Sequence, residues 1–204
     1  EAANANTRGG SNVVIGYRAG TTTGTYSNCT FIGTQAGQLT TTGTNNTFVG
    51  WDAGRYNVNN GMNTYLGYGA GKYQRGSDNV FLGAQAGFSN SSSPYSSGIR
   101  NVAIGNYALI NTRASQSYCV AIGHTAGYYT TGSYNTFIGH QAGYGGTTSA
   151  PYSSGGYNTA VGSFALDSFT TGTQNVAIGY QAGTDLTTGY YNAFMGFGAG
   201  ANIT

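Results

Sequence analysis

The chain has 204 residues, of which only 6% are charged, with a net charge of +2, and it is rich in glycine (36) and tyrosine (18). Low charge with 39% hydrophobic residues departs from the signature of disorder, and this much glycine disfavours helices, since each interior glycine costs about 1 kcal/mol. The seven Lys and Arg residues form no basic stripe, so nucleic acid is not an expected partner, and no apolar run approaches the ~18 residues of a membrane span.

After a lead-in over residues 1–11, one frame recurs eleven times through residues 12–204. It reads Asn, then usually Val or Thr, then Ala or an aromatic, then an aliphatic residue, Gly, two variable residues and Ala. A second Gly usually follows. NVVIGYRAG, NTFVGWDAG, NVAIGNYAL and NAFMGFGAG are examples in chain order. The turn glycines run Gly16, Gly33, Gly50, Gly67, Gly83, Gly105, Gly123, Gly139, Gly162, Gly179 and Gly196, most of them 16 to 18 residues apart.

Each apolar trio has strand chemistry, being short, β-branched and aromatic. Gly permits the turn that follows, and Thr-rich segments such as TTTGTNN supply another corner. One module is then one coil, and the fold expected is all-β: a parallel β-solenoid, or β-roll, of about eleven coils of 16–18 residues. Alternation puts the first and third trio residues on one face and the middle one on the other. The aliphatic outer members are expected to fill the coil, with the Ala/aromatic middle members packing against something outside it. The Ala after the turn is present in every copy and marks a crowded site. Asn at the start of nine copies predicts a ladder of stacked amides about 4.8 Å apart.

The NVAIG cores at Asn101–Gly105 and Asn175–Gly179 resemble the head repeats of YadA-like trimeric autotransporter adhesins and related phage tail-fibre heads. The resemblance runs from about Asn12 to Ala201. It implies a left-handed parallel β-roll, a homotrimer, and a surface that binds host molecules. This chain departs from that pattern in its longer repeat and its many aromatic middle residues.

The positions that vary are the candidates for function. Cys29 and Cys119 replace Asn in the ladder five coils apart, roughly 24 Å, which is too far for a bridge within the chain. His124 and His140 follow the turn Gly in adjacent modules and are expected to stack; no third ligand completes a metal site, and no metal or other cofactor is expected. The same position holds Tyr17, Trp51, Tyr68, Tyr180 and Phe197, a ridge suited either to subunit packing or to stacking on a sugar or protein. Insertions near residues 88–100 and 144–157 carry SSSPYSSG and TSAPYSSG, which makes Tyr95 and Tyr152 candidates for recognition on exposed loops, the alternative being loops that cover a groove or pack against a neighbouring subunit.

Catalytic arrangements are absent from the pattern: Glu1 is the only glutamate, and the four aspartates occupy different module positions. The expected function is that of a non-catalytic extracellular fibre segment on a cell or virion surface. It would associate with itself as a trimer and bind a host glycan or protein. A self-assembling filament or sheath subunit is the alternative, and an ice-binding solenoid with Thr-rich corners is a third reading.

Overall fold

Two corners per repeat and a trio that pairs with the next trio are enough to close a coil. The computed structural model describes residues 9–89, 96–110, 116–146 and 152–202. The trios form strands β1 (Val13–Ile15), β2 (Thr30–Ile32), β3 (Thr47–Val49), β4 (Thr64–Leu66), β5 (Val80–Leu82) and β6 (Val102–Ile104). The rest are β7 (Val120–Ile122), β8 (Thr136–Ile138), β9 (Thr159–Val161), β10 (Val176–Ile178) and β11 (Ala193–Met195). All pair in parallel, in chain order and trio on trio, into one eleven-stranded sheet. Isolated parallel bridges such as Gln74–Ser96 and Thr173–Tyr190 tie a second side of the coils together. The chain is therefore a parallel β-solenoid, and ten steps of ~4.8 Å make its sheet about 48 Å long. The described residues contain no helix.

The turn glycines hold φ between 122 and 138°. A Cβ on any of the first ten would stand 2.3–2.6 Å from the backbone carbonyl group of the next coil's glycine, so this column admits nothing larger. The corner closes when the Ala N–H donates to the Gly carbonyl, as from Ala19 to Gly16 at 3.3 Å. Ala19, Ala36 and their equivalents through Ala182 are fully buried, as the crowded site required.

The trio faces the opposite way from the sequence expectation. The middle residues Phe31, Phe48, Tyr65, Phe81 and Phe137 are buried, while outer residues such as Ile15, Leu66 and Ile104 are exposed. The coil is narrow, and flat rings fill it best by stacking along its axis. Phe31 and Phe48 lie 5.2 Å apart at 9°, Phe48 and Tyr65 4.8 Å at 13°, and Tyr65 and Phe81 4.9 Å at 10°. Burying each ring stabilises the coil by about 2–3 kcal/mol. Tyr26 closes this stack at 5.3 Å from Phe31, its hydroxyl donating to the Gly20 carbonyl at 2.8 Å.

Where the middle residue is Ala, other side chains take the volume. In the coils of β6 and β9, Leu109 and Leu166 replace the second glycine and are buried beside Ala103 and Ala160. They adopt that glycine's left-handed backbone, at φ 48 and 49°. Each also fills the following coil, so Ala121 and Ala177 need no ring: Leu109 reaches over Gly127 and Leu166 over Gly183. Phe169 adds volume, 5.6 Å from Phe137.

The Asn column binds backbone more than it binds itself. Each Asn Oδ1 accepts from the N–H of the next ladder residue, as from Asn63 to Asn46 and Cys119 to Asn101, both at 3.0 Å. Nδ2 donates to a backbone carbonyl, as from Asn63 to Gly76 at 3.1 Å. Direct amide–amide bonds occur at only some steps, such as Asn192 to Asn175 at 3.0 Å. Buried backbone groups that would otherwise lack partners at a coil corner are thus satisfied.

Candidate functional site

Turning the trio outward gives the sheet an apolar outer face. Its two columns hold the first and third residues of each strand. One reads Val or Thr, ending in Ala193; the other is aliphatic throughout, from Ile15 through Leu66, Ile104 and Ile138 to Met195. None of these twenty-two positions carries a charge or an amide. This long file of exposed and half-buried uncharged side chains, aliphatic along one column and Val or Thr along the other, is the strongest candidate for a contact surface.

Two ridges border the face. The post-glycine ridge contains Tyr17, Trp51, Tyr68, His124, His140, Tyr180 and Phe197, all exposed. Its rings pair with one another: Trp51 with Tyr68 at 4.8 Å, His124 with His140 at 5.4 Å and 10°, Tyr180 with Phe197 at 5.3 Å and 16°. Stacking covers one ring face within the His124–His140 and Tyr180–Phe197 pairs, while Trp51 and Tyr68 are tilted at 41°. Tyr17 also lines an open cleft of about 310 Å³ with Arg18, Thr21 and Gln38, and the Arg18 guanidinium sits 5.2 Å from its ring.

Next to Trp51, Asp52 is buried in the corner that it helps to build. Lys72 Nζ lies 2.6 Å from one carboxylate oxygen and Arg55 Nη 3.4 Å from the other. Burial alone would pull the Lys72 ammonium down, but the Asp52 carboxylate outweighs it and holds the pKa above its ordinary value. Arg55 Nε donates to Gln38 at 2.9 Å, and its guanidinium covers the Tyr56 ring. This cluster joins three coils and is structural. Among the described residues, no three of His, Cys, Asp or Glu converge as a metal site.

Tyr95 lies outside the described residues. Tyr152 is half-buried and stacks on Tyr129 at 5.8 Å and 14°. Tyr129 in turn meets Tyr128 and Tyr144, so Tyr152 belongs to a tyrosine cluster packed on the coils rather than to a projecting tip. Burial and neighbouring phenols push the Tyr128 and Tyr144 hydroxyls above their ordinary pKa.

Both cysteines are free and buried. Each thiol lies near the carbonyl that an Asn amide would reach, Cys29 at 3.5 Å from Gly43 and Cys119 at 3.4 Å from Gly132. Burial raises both, Cys119 to about 11. They act as small ladder residues.

A second ridge borders the other side of the face, one residue before the ladder. Its positions include Asp78, Arg100, Tyr118, Tyr134 and Tyr157. No sequence signal singled these out, because the position carries no constant residue type.

No family model, curated protein or solved structure matches this chain.

Proposed function

We propose that this chain is a non-catalytic segment of an extracellular fibre, used in adhesion or receptor binding and assembled with copies of itself as a trimer. The observation that carries this reading is the uncharged outer face of the sheet. Its two columns and bordering ridges together cover about 48 by 20 Å at ordinary strand dimensions, on the order of 1,000 Å² per chain, which in a trimer is shared between two neighbours at about 500 Å² each, the small end of specific interfaces. Two sheets pack face to face when side chains of this kind interdigitate about 10 Å apart. Three copies meeting around one axis would hide this face and leave the remaining sides of each coil, with the tyrosine cluster around Tyr152, for a host glycan or protein. The resemblance to YadA-like heads favours three copies over another number.

A filament or sheath subunit would use the same face with open-ended geometry. The ice-binding reading has one favourable observation, the consecutive exposed or half-exposed threonines Thr30, Thr47 and Thr64. The column beside them is aliphatic, however, which suits a protein surface better than ordered water.

Sedimentation analysis tests the reading. The expected mass is three chains, independent of concentration, falling to one chain when Ile104→Glu and Ile122→Glu place charges on the outer face. A monomeric parent chain, or a trimer indifferent to these substitutions, would sink the assignment of the face.

A further inference from the structure

Tyr118, Tyr134 and Tyr157 occupy the same corner in the three successive coils of β7, β8 and β9. Each takes a left-handed backbone at φ 60, 63 and 60°. Each corner is tied to the preceding coil, since the N–H groups donate to the carbonyls of Ile99, Ser117 and Ser133 at 3.0–3.1 Å. The rings are therefore held in register. Tyr118 and Tyr134 lie 4.9 Å apart at 3°, and Tyr134 and Tyr157 4.7 Å apart at 6°. All three are exposed, by 39, 46 and 60%. Arg100 ends the file on one side: its Nη donates to the Tyr118 hydroxyl at 2.7 Å and its guanidinium lies 5.5 Å from the ring centre.

Other close tyrosine pairs differ in a way that matters. Tyr56–Tyr73 and Tyr128–Tyr144 stack at 4.6 and 5.3 Å, but these four rings are half-buried. Tyr190 and Tyr191 are exposed but nearly perpendicular, at 81°. Only the file at 118, 134 and 157 combines exposure, parallel rings and three phenols in a row among the described residues.

We propose that this file is a site of oxidative coupling, at which hydrogen peroxide and a haem peroxidase join neighbouring coils through dityrosine. Each of two neighbouring phenols gives up one electron and its hydroxyl proton, leaving radicals with spin density on the ortho carbons. A carbon–carbon bond forms between ortho carbons, and the two ortho hydrogens move to the oxygens as the rings regain aromaticity. The two electrons and two protons released reduce one hydrogen peroxide to two waters. The ring centres already lie near the separation of two directly bonded rings, and the exposed side chains must turn from face-to-face to edge-to-edge for the ortho carbons to bond. The product is a staple that reducing agents do not open. It spans coils that otherwise hold together only through nearest-neighbour stacking, the weak point of any solenoid. The file borders the face proposed for assembly, so the separated Ile104→Glu/Ile122→Glu chain is treated beside the parent: coupling there does not depend on whether copies cover this ridge.

The test treats the full chain with hydrogen peroxide and a haem peroxidase, then follows dityrosine fluorescence and sequences the cross-linked peptides of a chymotryptic digest by mass spectrometry. Expected are links of Tyr134 to Tyr118 or Tyr157 within one chain, and a higher thermal midpoint after treatment. Tyr134→Phe keeps the stacked ring and should fold as the parent does, yet lose more than half of the dityrosine and the gain in midpoint. Tyr144→Phe should lose neither. Links mainly at other tyrosines or between chains, an undiminished yield in Tyr134→Phe, or no dityrosine at all would overturn the proposal.

Discussion

The coils of β2 to β5 and the coil pairs of β6–β7 and β9–β10 solve one packing problem in two ways. The first set puts a ring at the middle of the trio and glycine at the second corner, as with Phe48 and Gly54. The second puts Ala in the trio and, in the first coil of each pair, Leu at that corner. The exchange conserves interior volume rather than residue type, so the repeat tolerates variation at two positions provided that they vary together. Each solution has its own cost. The aromatic coils need a glycine that clears the ring face, while Leu109 and Leu166 hold a left-handed backbone that disfavours any side chain by roughly 1–2 kcal/mol.

The two solutions should be incompatible within one coil. Gly54→Leu would place a Cβ 2.6 Å from the Phe48 ring, and should destabilise more than Phe48→Ala or Leu166→Ala. Phe48→Ala alone should cost about 3–5 kcal/mol, from the lost ring and the cavity it leaves. Chemical denaturation of the double variant Phe48→Ala/Gly54→Leu should then show a favourable coupling of about 1–3 kcal/mol. Strict additivity would show that the two positions do not share one space. On the other side, Leu166→Ala should cost about 2–5 kcal/mol, because it empties the interior of two coils, those of Ala160 and Ala177.

Smaller effects belong to the ladder. The Asn46 N–H faces Cys29 sulfur, a weaker acceptor than the amide oxygen present at most other steps. Cys29→Asn should therefore raise stability by about 1 kcal/mol, read as a shift in denaturation midpoint. Cys119 also adds a pH dependence of known sign. Its folded pKa is raised to about 11 from an ordinary 9.0, so its contribution is complete below pH 9 and is lost as pH rises through 11. Cys119→Ser should flatten that alkaline slope. A subtler change is Tyr65→Phe. Asn57 and Asn79 lie near the buried Tyr65 hydroxyl, which has no hydrogen bond of good geometry, and burial raises its pKa. Removing it should leave stability equal or slightly higher, since an unsatisfied buried hydroxyl costs about 1 kcal/mol or more.

Much of the scaffold was legible in the residues themselves. Gly and Ala recur because close approach leaves no alternative and Asn because it bonds the backbone of the next coil, so the coils, strands and corners could be placed from sequence. The direction of the trio could not. Alternation says which residues share a face and is silent on which face is inside. Ala103 looks too small for a core until Leu109, six residues on, is seen to complete it. With the trio reversed, the outer face that is the strongest candidate for contact passes for the core. Tyr152 resembled an exposed loop residue because its partner Tyr129 lies in another module. The file of Tyr118, Tyr134 and Tyr157 went unseen because its position holds Asp78 and Arg100 in nearby coils.

The proposed assembly requires that the outer face of the sheet join a fixed number of copies side by side. Negative-stain electron microscopy of the purified chain shows this most directly. Short, uniform rods about 50 Å long are expected, as strand spacing requires, with three-fold symmetry in end views. They should separate into single thin solenoids when Ile104→Glu and Ile122→Glu are introduced. Filaments of indefinite length, or single solenoids from the unaltered chain, would refute the side-by-side trimer.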